Sequence, residues 1–206
     1  MMRLYDGKLL AHPRRVTVYL AEKGLKIDKI EVDARAGATK TPEFLRKNPS
    51  GKLPLLELDD GSYLPESAVI VEYLEERFPT PPMIGATPEE RAQIRASERI
   101  AADIFAYLPL ILVNTEEEIA AKRGVVRQIE VAKTLQPGTD ALLDQLENRI
   151  GDKPFLASQT PSIADCTFFA LMDTTYRLFQ YRIPERLPKL RAWYERFSRR
   201  PSAQIQ

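Results

Sequence analysis

Asn48-Pro49-Ser50-Gly51-Lys52-Leu53-Pro54 leads into the apolar run Leu55-Leu56-Glu57-Leu58, and Glu66-Ser67 follows a short way on. Asn48-Pro49 ends a helical pattern, because the residue before a proline avoids helical backbone. Gly51 then permits a turn that a residue with a Cβ resists. Pro54 has no N–H, which places it at the start of a strand or on a sheet edge. A cis Leu53–Pro54 bond would bare the N–H and C=O of Leu53 towards an extended ligand. Asp59-Asp60-Gly61 reads as a hairpin turn and Tyr63-Leu64 as the returning strand. Glu66-Ser67 opens a helix, whose free N–H groups and positive dipole end attract a carboxylate. Backbone pairing for a peptide and a socket for a carboxylate thus lie within one short stretch. Each half alone has a plain structural reading, since a proline before a strand and Glu-Ser at a helix start are both common.

Upstream, Arg3-Leu4-Tyr5 is a strand ending at Asp6-Gly7. Pro13 suits the first turn of a helix, Val16, Val18, Tyr19, Leu20 and Ala21 supply its buried side, and Gly24 stops it. Ile27, Ile30 and Val32 mark a second strand, parallel to the first across a right-handed crossover. Thr41-Pro42-Glu43-Phe44 starts a short helix with a capping residue and proline at its first position. The expected order is β-α-β-α-β-β-α over residues 1–79, a thioredoxin-like unit.

Pro79-Thr80-Pro81-Pro82 breaks the pattern, so 80–87 is read as a stiff linker and 88–206 as an all-helical second domain. Thr87-Pro88-Glu89-Glu90 is a helix start, with apolar residues at helical spacing from Ile94 to Leu112. A second long helix is expected over about Glu117 to Leu135, with Gln136-Pro137-Gly138 as its break. Ser162-Ile163-Ala164-Asp165 forms a capping box with Asp in place of Glu. It precedes a nearly continuous apolar helix to Leu178, the expected centre of the second domain. Leu187 to Trp193 begins the last helix.

The 206 residues carry 30 basic and 29 acidic side chains, a formal charge of +1. No global field therefore attracts nucleic acid or an anionic membrane. The run Arg196 to Arg200 reads as the cationic last turn of a helix. One cysteine, Cys166, and one histidine, His12, leave no disulfide framework and no expected metal site. Met1 to Asp6 runs into charge and glycine, so no signal peptide is expected. No window reaches membrane-spanning length without charges, and the cytoplasm is the expected location.

Taken end to end, the chain resembles the soluble glutathione transferases, those of bacteria in particular. The resemblance rests on Arg14-Arg15-Val16 to Gly24, Asn48 to Pro54, Glu66-Ser67, Pro161 to Asp165 and the closing Pro188 to Pro201 run. It implies a glutathione-binding first domain, a helical second domain lining an apolar pocket, and a homodimer. Residue by residue, Leu53 and Pro54 resemble the backbone clamp on the cysteinyl part of glutathione. Glu66 and Ser67 resemble the pair that holds its γ-glutamyl end. Lys52 and Lys40 match positions near the glycyl part, their plain reading being solvated surface charge. Leu9, Phe105, Tyr107, Leu108 and Ile111 fall where the second substrate's pocket is lined.

One position departs from the family pattern. Relatives place a Ser or Cys where this chain has Leu10, and Tyr5 lies too early to replace it. A thiol of ordinary pKa near 8.5 needs help to ionise at neutral pH. The N-terminus of the first helix can supply it, assisted by a neutral His12 as donor; the plain reading of His12 is a loop residue filling space. The resemblance therefore implies an enzyme adding glutathione to small apolar electrophiles, or reducing peroxides with it. The competing reading is a binding or regulatory protein on the same scaffold without catalysis. The retained carboxylate socket favours the enzyme.

Overall fold

Four short strands form the sheet of the first unit, and one of the two central ones, Leu55–Glu57, is buried throughout. The computed structural model describes residues 1–205. Strands β1 (Arg3–Asp6), β2 (Asp28–Glu31), β3 (Leu55–Glu57) and β4 (Tyr63–Pro65) make one sheet in the order β2-β1-β3-β4. β1 and β2 run parallel with Tyr5 opposite Ile30, and β3 is antiparallel to both its neighbours. Helices α1 (Ala11–Lys23), α2 (Pro42–Lys47) and α3 (Ser67–Arg77) complete the β-α-β-α-β-β-α order. Gly24, at φ 71°, closes α1 with its N–H on the Ala21 and Leu20 carbonyls. Thr41 caps α2 by accepting from the Phe44 N–H at 3.3 Å. Both ends were legible, since left-handed backbone favours glycine and a free first-turn N–H favours a hydroxyl.

Leu4, Leu55 and Leu56 are fully buried in the sheet. On one face Tyr5, Phe44, Leu53 and Leu55 cluster, with Leu10, Ile30 and Val32 packed against them. Tyr5 is the packed strand aromatic that its position implies, its hydroxyl donating to Glu57 Oε2 at 2.9 Å.

The chain divides into two units, one of residues 1–83 with the segment from Ser198 onward, the other of 84–197. The closing helix of the first unit, α9 (Pro201–Gln204), packs on α1. There Arg200 grips Glu22 with Nε at 2.6 Å and Nη2 at 2.8 Å. Arg14 donates to the carbonyls of Ala203 and Ile205. The segment after α3 stays with this unit, because the Met83 N–H donates to Glu75 and Lys23 Nζ donates to the Pro81 carbonyl.

The second unit is helical: α4 (Pro88–Thr115), α5 (Glu117–Arg123), α6 (Ile129–Ile150), α7 (Ile163–Phe179) and α8 (Pro188–Ser198). Every residue of α7 from Ile163 to Thr175 is buried, which makes it the centre of this unit as expected. The α5–α6 region corrects the expected helix over 117–135. The break falls at Gly124, in left-handed backbone at φ 63°, and α6 runs on through Pro137 and Gly138. An interior proline costs a helix about 3 kcal/mol. Burial of Ala132, Thr139, Leu143, Leu146 and Ile150 along α6 offsets that cost. Among the described residues no helix is long and apolar enough to cross a membrane, and no His, Cys, Asp and Glu group is placed to hold a metal.

Candidate functional site

The turn before β3 is organised by one buried side chain. Asn48 donates from Nδ2 to the Lys52 carbonyl at 2.9 Å and accepts at Oδ1 from the Ser50 N–H and hydroxyl. Gly51 sits at φ +60°, and a Cβ there would lie 2.7 Å from Lys40 Nζ and 3.0 Å from the Thr39 carbonyl. Only glycine fits both the backbone and the space. Lys40 Nζ donates to the Gly51 carbonyl at 3.3 Å. Lys40 and Lys52 therefore flank the same turn, both exposed.

Leu53 follows, joined to Pro54 by a cis peptide. Among the described residues neither the N–H nor the C=O of Leu53 has a hydrogen-bond partner within the chain. An extended segment with both groups open can pair with a peptide as a strand does. Beneath it the side chains of Leu10 and Leu53 converge on Gly7, whose added Cβ would lie 2.8 Å and 2.9 Å from their Cδ1 atoms. Leu10 is thus committed to apolar packing and brings no donor to the loop. Leu9, beside it, is 44% exposed and holds φ 55°.

At the start of α3, Glu66 adopts φ 70° although it has a Cβ. Such conformations cost on the order of 1–3 kcal/mol and gather at ligand sites. Glu66 is exposed, whereas Ser67 is 3% exposed. The Ser67 hydroxyl lies 3.4 Å from His12 Nδ1 and 3.3 Å from Arg15 Nη1. Burial, reinforced by the nearby Arg15 guanidinium, pushes His12 below the ordinary histidine value. Both effects favour the neutral ring. Its position is new: His12 reaches the serine at the start of α3.

Arg15, expected from sequence to be a surface or interdomain ion-pair residue, instead joins this cluster. Its side chain, 6% exposed, is directed at Ser67 from α1. The signal was a polar stripe, His12, Arg15, Tyr19 and Lys23, at helical spacing. Farther along, Tyr19 and Lys23 meet Glu75 of α3 at 2.8 and 2.5 Å. Helix α1 itself starts without a side-chain cap and with no acidic residue in its first turn.

The residues expected to line the second pocket fall in different settings. Tyr107 is 38% exposed on α4, while Phe105, Leu108 and Ile111 are buried on that helix.

Residues 11–77 match the family described as "Glutathione S-transferase, N-terminal domain", and residues 101–201 the one described as "Glutathione S-transferase, C-terminal domain". Glutathione S-transferase 2 of Saccharomyces cerevisiae is 31% identical, over 98% of this chain and 87% of the relative. A maleylacetoacetate isomerase of Pseudomonas aeruginosa is 30% identical over 80% of this chain and 76% of its own. Among solved structures, Gtt2 of Saccharomyces cerevisiae superposes with a TM-score of 0.78 at 28% identity, covering 98% of both chains.

Proposed function

The chain belongs to the glutathione S-transferase family, and on that footing we propose that it binds glutathione in the first unit and adds it through its sulfur to small apolar electrophiles, or reduces peroxides with it. The juxtaposition of the open Leu53 backbone with the Glu66–Ser67 socket carries the reading. The cysteinyl part pairs with Leu53, the γ-glutamyl carboxylate accepts from the Ser67 N–H and hydroxyl, and Glu66 accepts from the ammonium. Lys40 and Lys52 stand by the turn where the glycyl carboxylate would lie. With Leu10 in place of a hydroxyl or thiol, the thiolate is held by the uncapped N-terminus of α1. Turnover of a panel of electrophiles and peroxides, with glutathione omitted as control, tests the activity. No glutathione-dependent turnover across the panel would exclude it. A homodimer completes the reading, since symmetric pairing is the commonest assembly; sedimentation at one chain's mass would refute that.

Ser67→Ala should weaken glutathione binding about tenfold or more, because a hydrogen bond to a charged group is worth roughly 1.5–3 kcal/mol. Calorimetry showing unchanged affinity would remove the socket. His12→Ala should act chiefly through the same serine, raising KM for glutathione roughly two- to tenfold for the loss of a neutral hydrogen bond. A fall in kcat with KM unmoved would place His12 on the thiolate instead. The pH dependence has a defined sign. His12 holds a folded-state value below its ordinary one, so the unfolded chain takes up the proton first. The contribution of the neutral ring is whole above about pH 6.5 and is lost as pH falls below it. The acid limb of kcat/KM should therefore change in His12→Ala, while the profile above pH 7 keeps its shape.

A further inference from the structure

Cations of the helical unit are commonly matched with carboxylates. Arg186 reaches Asp140 and Asp144, Arg177 reaches Asp173, and Arg99 reaches Asp103. Four cations at the corner between α6 and α8 depart from this. Among the described residues Arg149, Lys153, Lys189 and Arg196 have no carboxylate within ion-pair distance. Neutral groups hold three of them in place instead. Arg149 donates from Nε to the Ser97 hydroxyl at 3.0 Å and from Nη2 to the Gln93 side-chain oxygen at 2.8 Å. Lys153 donates to the Arg149 carbonyl at 3.1 Å, and Arg196 to the Pro154 carbonyl at 3.0 Å. Hydrogen bonds fix Arg149, Lys153 and Arg196, while the Lys189 side chain stands exposed.

Two cavities open at this corner and Lys153 lines both. One, of about 280 Å³, is walled by Gln93, Ser97, Arg149 and Lys153 with no carboxylate. The other, of about 340 Å³, has Lys189 and Arg196 on its wall and a single carboxylate, Asp152. Lys189, Ala192 and Arg196 recur at the spacing of one helix face, so α8 presents both cations to the same space. The Glu147 carboxylate stands at the same helix start, its oxygens accepting from the Lys189 and Leu190 N–H groups at 2.9 and 2.8 Å, but it makes no ion pair with the Lys189 ammonium.

Helix electrostatics accounts for part of this arrangement only. Arg149 and Arg196 stand in the last turns of α6 and α8, where a cation is favoured. Lys189 stands in the first turn of α8, where a cation is disfavoured. An anion in the second cavity would meet Lys189 and Arg196 together, and one in the first would meet the fixed Arg149 side chain.

We propose that this corner binds a small ligand carrying two linked phosphate groups, one beside Arg149 and one between Lys189 and Arg196, with Lys153 bridging them. Guanidinium and ammonium donors on phosphate oxygens form strong charge-assisted hydrogen bonds. The site lies wholly in the helical unit and does not depend on the glutathione reading. The probe is inorganic pyrophosphate, titrated calorimetrically into the full chain at low ionic strength, with orthophosphate and sulfate alongside. Pyrophosphate should bind at least tenfold more tightly than either, and added salt should weaken it. Lys153→Gln and Lys189→Gln should each weaken it about tenfold with an unchanged Tm. Ser67→Ala and saturating glutathione should leave it unaffected. The proposal is overturned if pyrophosphate gives no binding at millimolar concentration, if sulfate binds as tightly, or if the two lysine variants bind like wild type.

Discussion

Asp165→Ala should lower the melting temperature by roughly 6–20 °C. The carboxylate is completely buried in the helical unit and every neighbour of its oxygens donates to it. Oδ1 accepts from the Leu156 N–H at 2.9 Å and from Trp193 Nε1 at 2.7 Å. Oδ2 accepts from the Ser162 N–H at 3.0 Å and from its hydroxyl at 2.7 Å. Burial pushes this carboxyl up from its ordinary value, and the donors from Leu156, Ser162 and Trp193 pull it back. Alanine leaves buried donors on three segments unpaired, beside fully buried Trp193 and Phe168. Stranding such a network costs about 3–5 kcal/mol. Each kcal/mol moves the melting temperature of a chain this long by roughly 2–4 °C. Asp165→Asn keeps one acceptor oxygen but turns an amine towards the other pair of donors, so it should fall between wild type and alanine. Calorimetric melting of the three proteins decides the matter, and an alanine variant melting with wild type would show that the network holds nothing together.

The capping motif at Ser162–Asp165 was readable, but half of its purpose was not. Sequence spacing identifies the return bond from Asp165 to the start of α7. The bonds to Leu156 and Trp193 join residues up to 28 positions apart, and no local pattern announces them. The same contrast runs through the chain. The β-α-β-α-β-β-α order was legible because Gly24, Thr41-Pro42, Gly51 and Asp60-Gly61 dictate backbone geometry on their own. The α5–α6 break was misplaced because a proline's local penalty was visible and the burial along α6 that offsets it was not. Leu53, Glu66 and Ser67 stand out from turn and helix-start chemistry alone, at the cis peptide before β3 and at the start of α3. Arg15 does not, because an arginine on a helix is ordinarily solvated. Its role emerges only when α3 lies against the same stripe of α1.

That stripe carries the other large expected effect. Glu75→Ala should destabilise the first unit by about 3–5 kcal/mol, since it leaves a buried ammonium without its counter-charge. Lys23 and Glu75 side chains are 0% and 2% exposed and meet at 2.5 Å. Glu75 also accepts from the Tyr19 hydroxyl at 2.8 Å and the Met83 N–H at 3.2 Å. Removing it strips three partners at once, whereas a buried pair replaced on both sides by apolar residues is often neutral or stabilising. The double variant Lys23→Met, Glu75→Leu should therefore recover much of the stability that Glu75→Ala loses. Denaturant melts of the single and double variants test this, and a double variant as unstable as the single would show that lost packing, not the stranded charge, is responsible. A functional consequence follows from the geometry. His12 and Arg15 stand two to three turns along α1 from Lys23, and Ser67 two turns along α3 from Glu75, so one seam between two helices carries the proposed socket at one end and the ion pair at the other. Loosening the pair should weaken glutathione binding without touching a residue that meets glutathione. The double variant should restore affinity together with stability. Recovery of stability without affinity would mean that the ion pair positions Ser67 by a route other than the packing of α1 on α3.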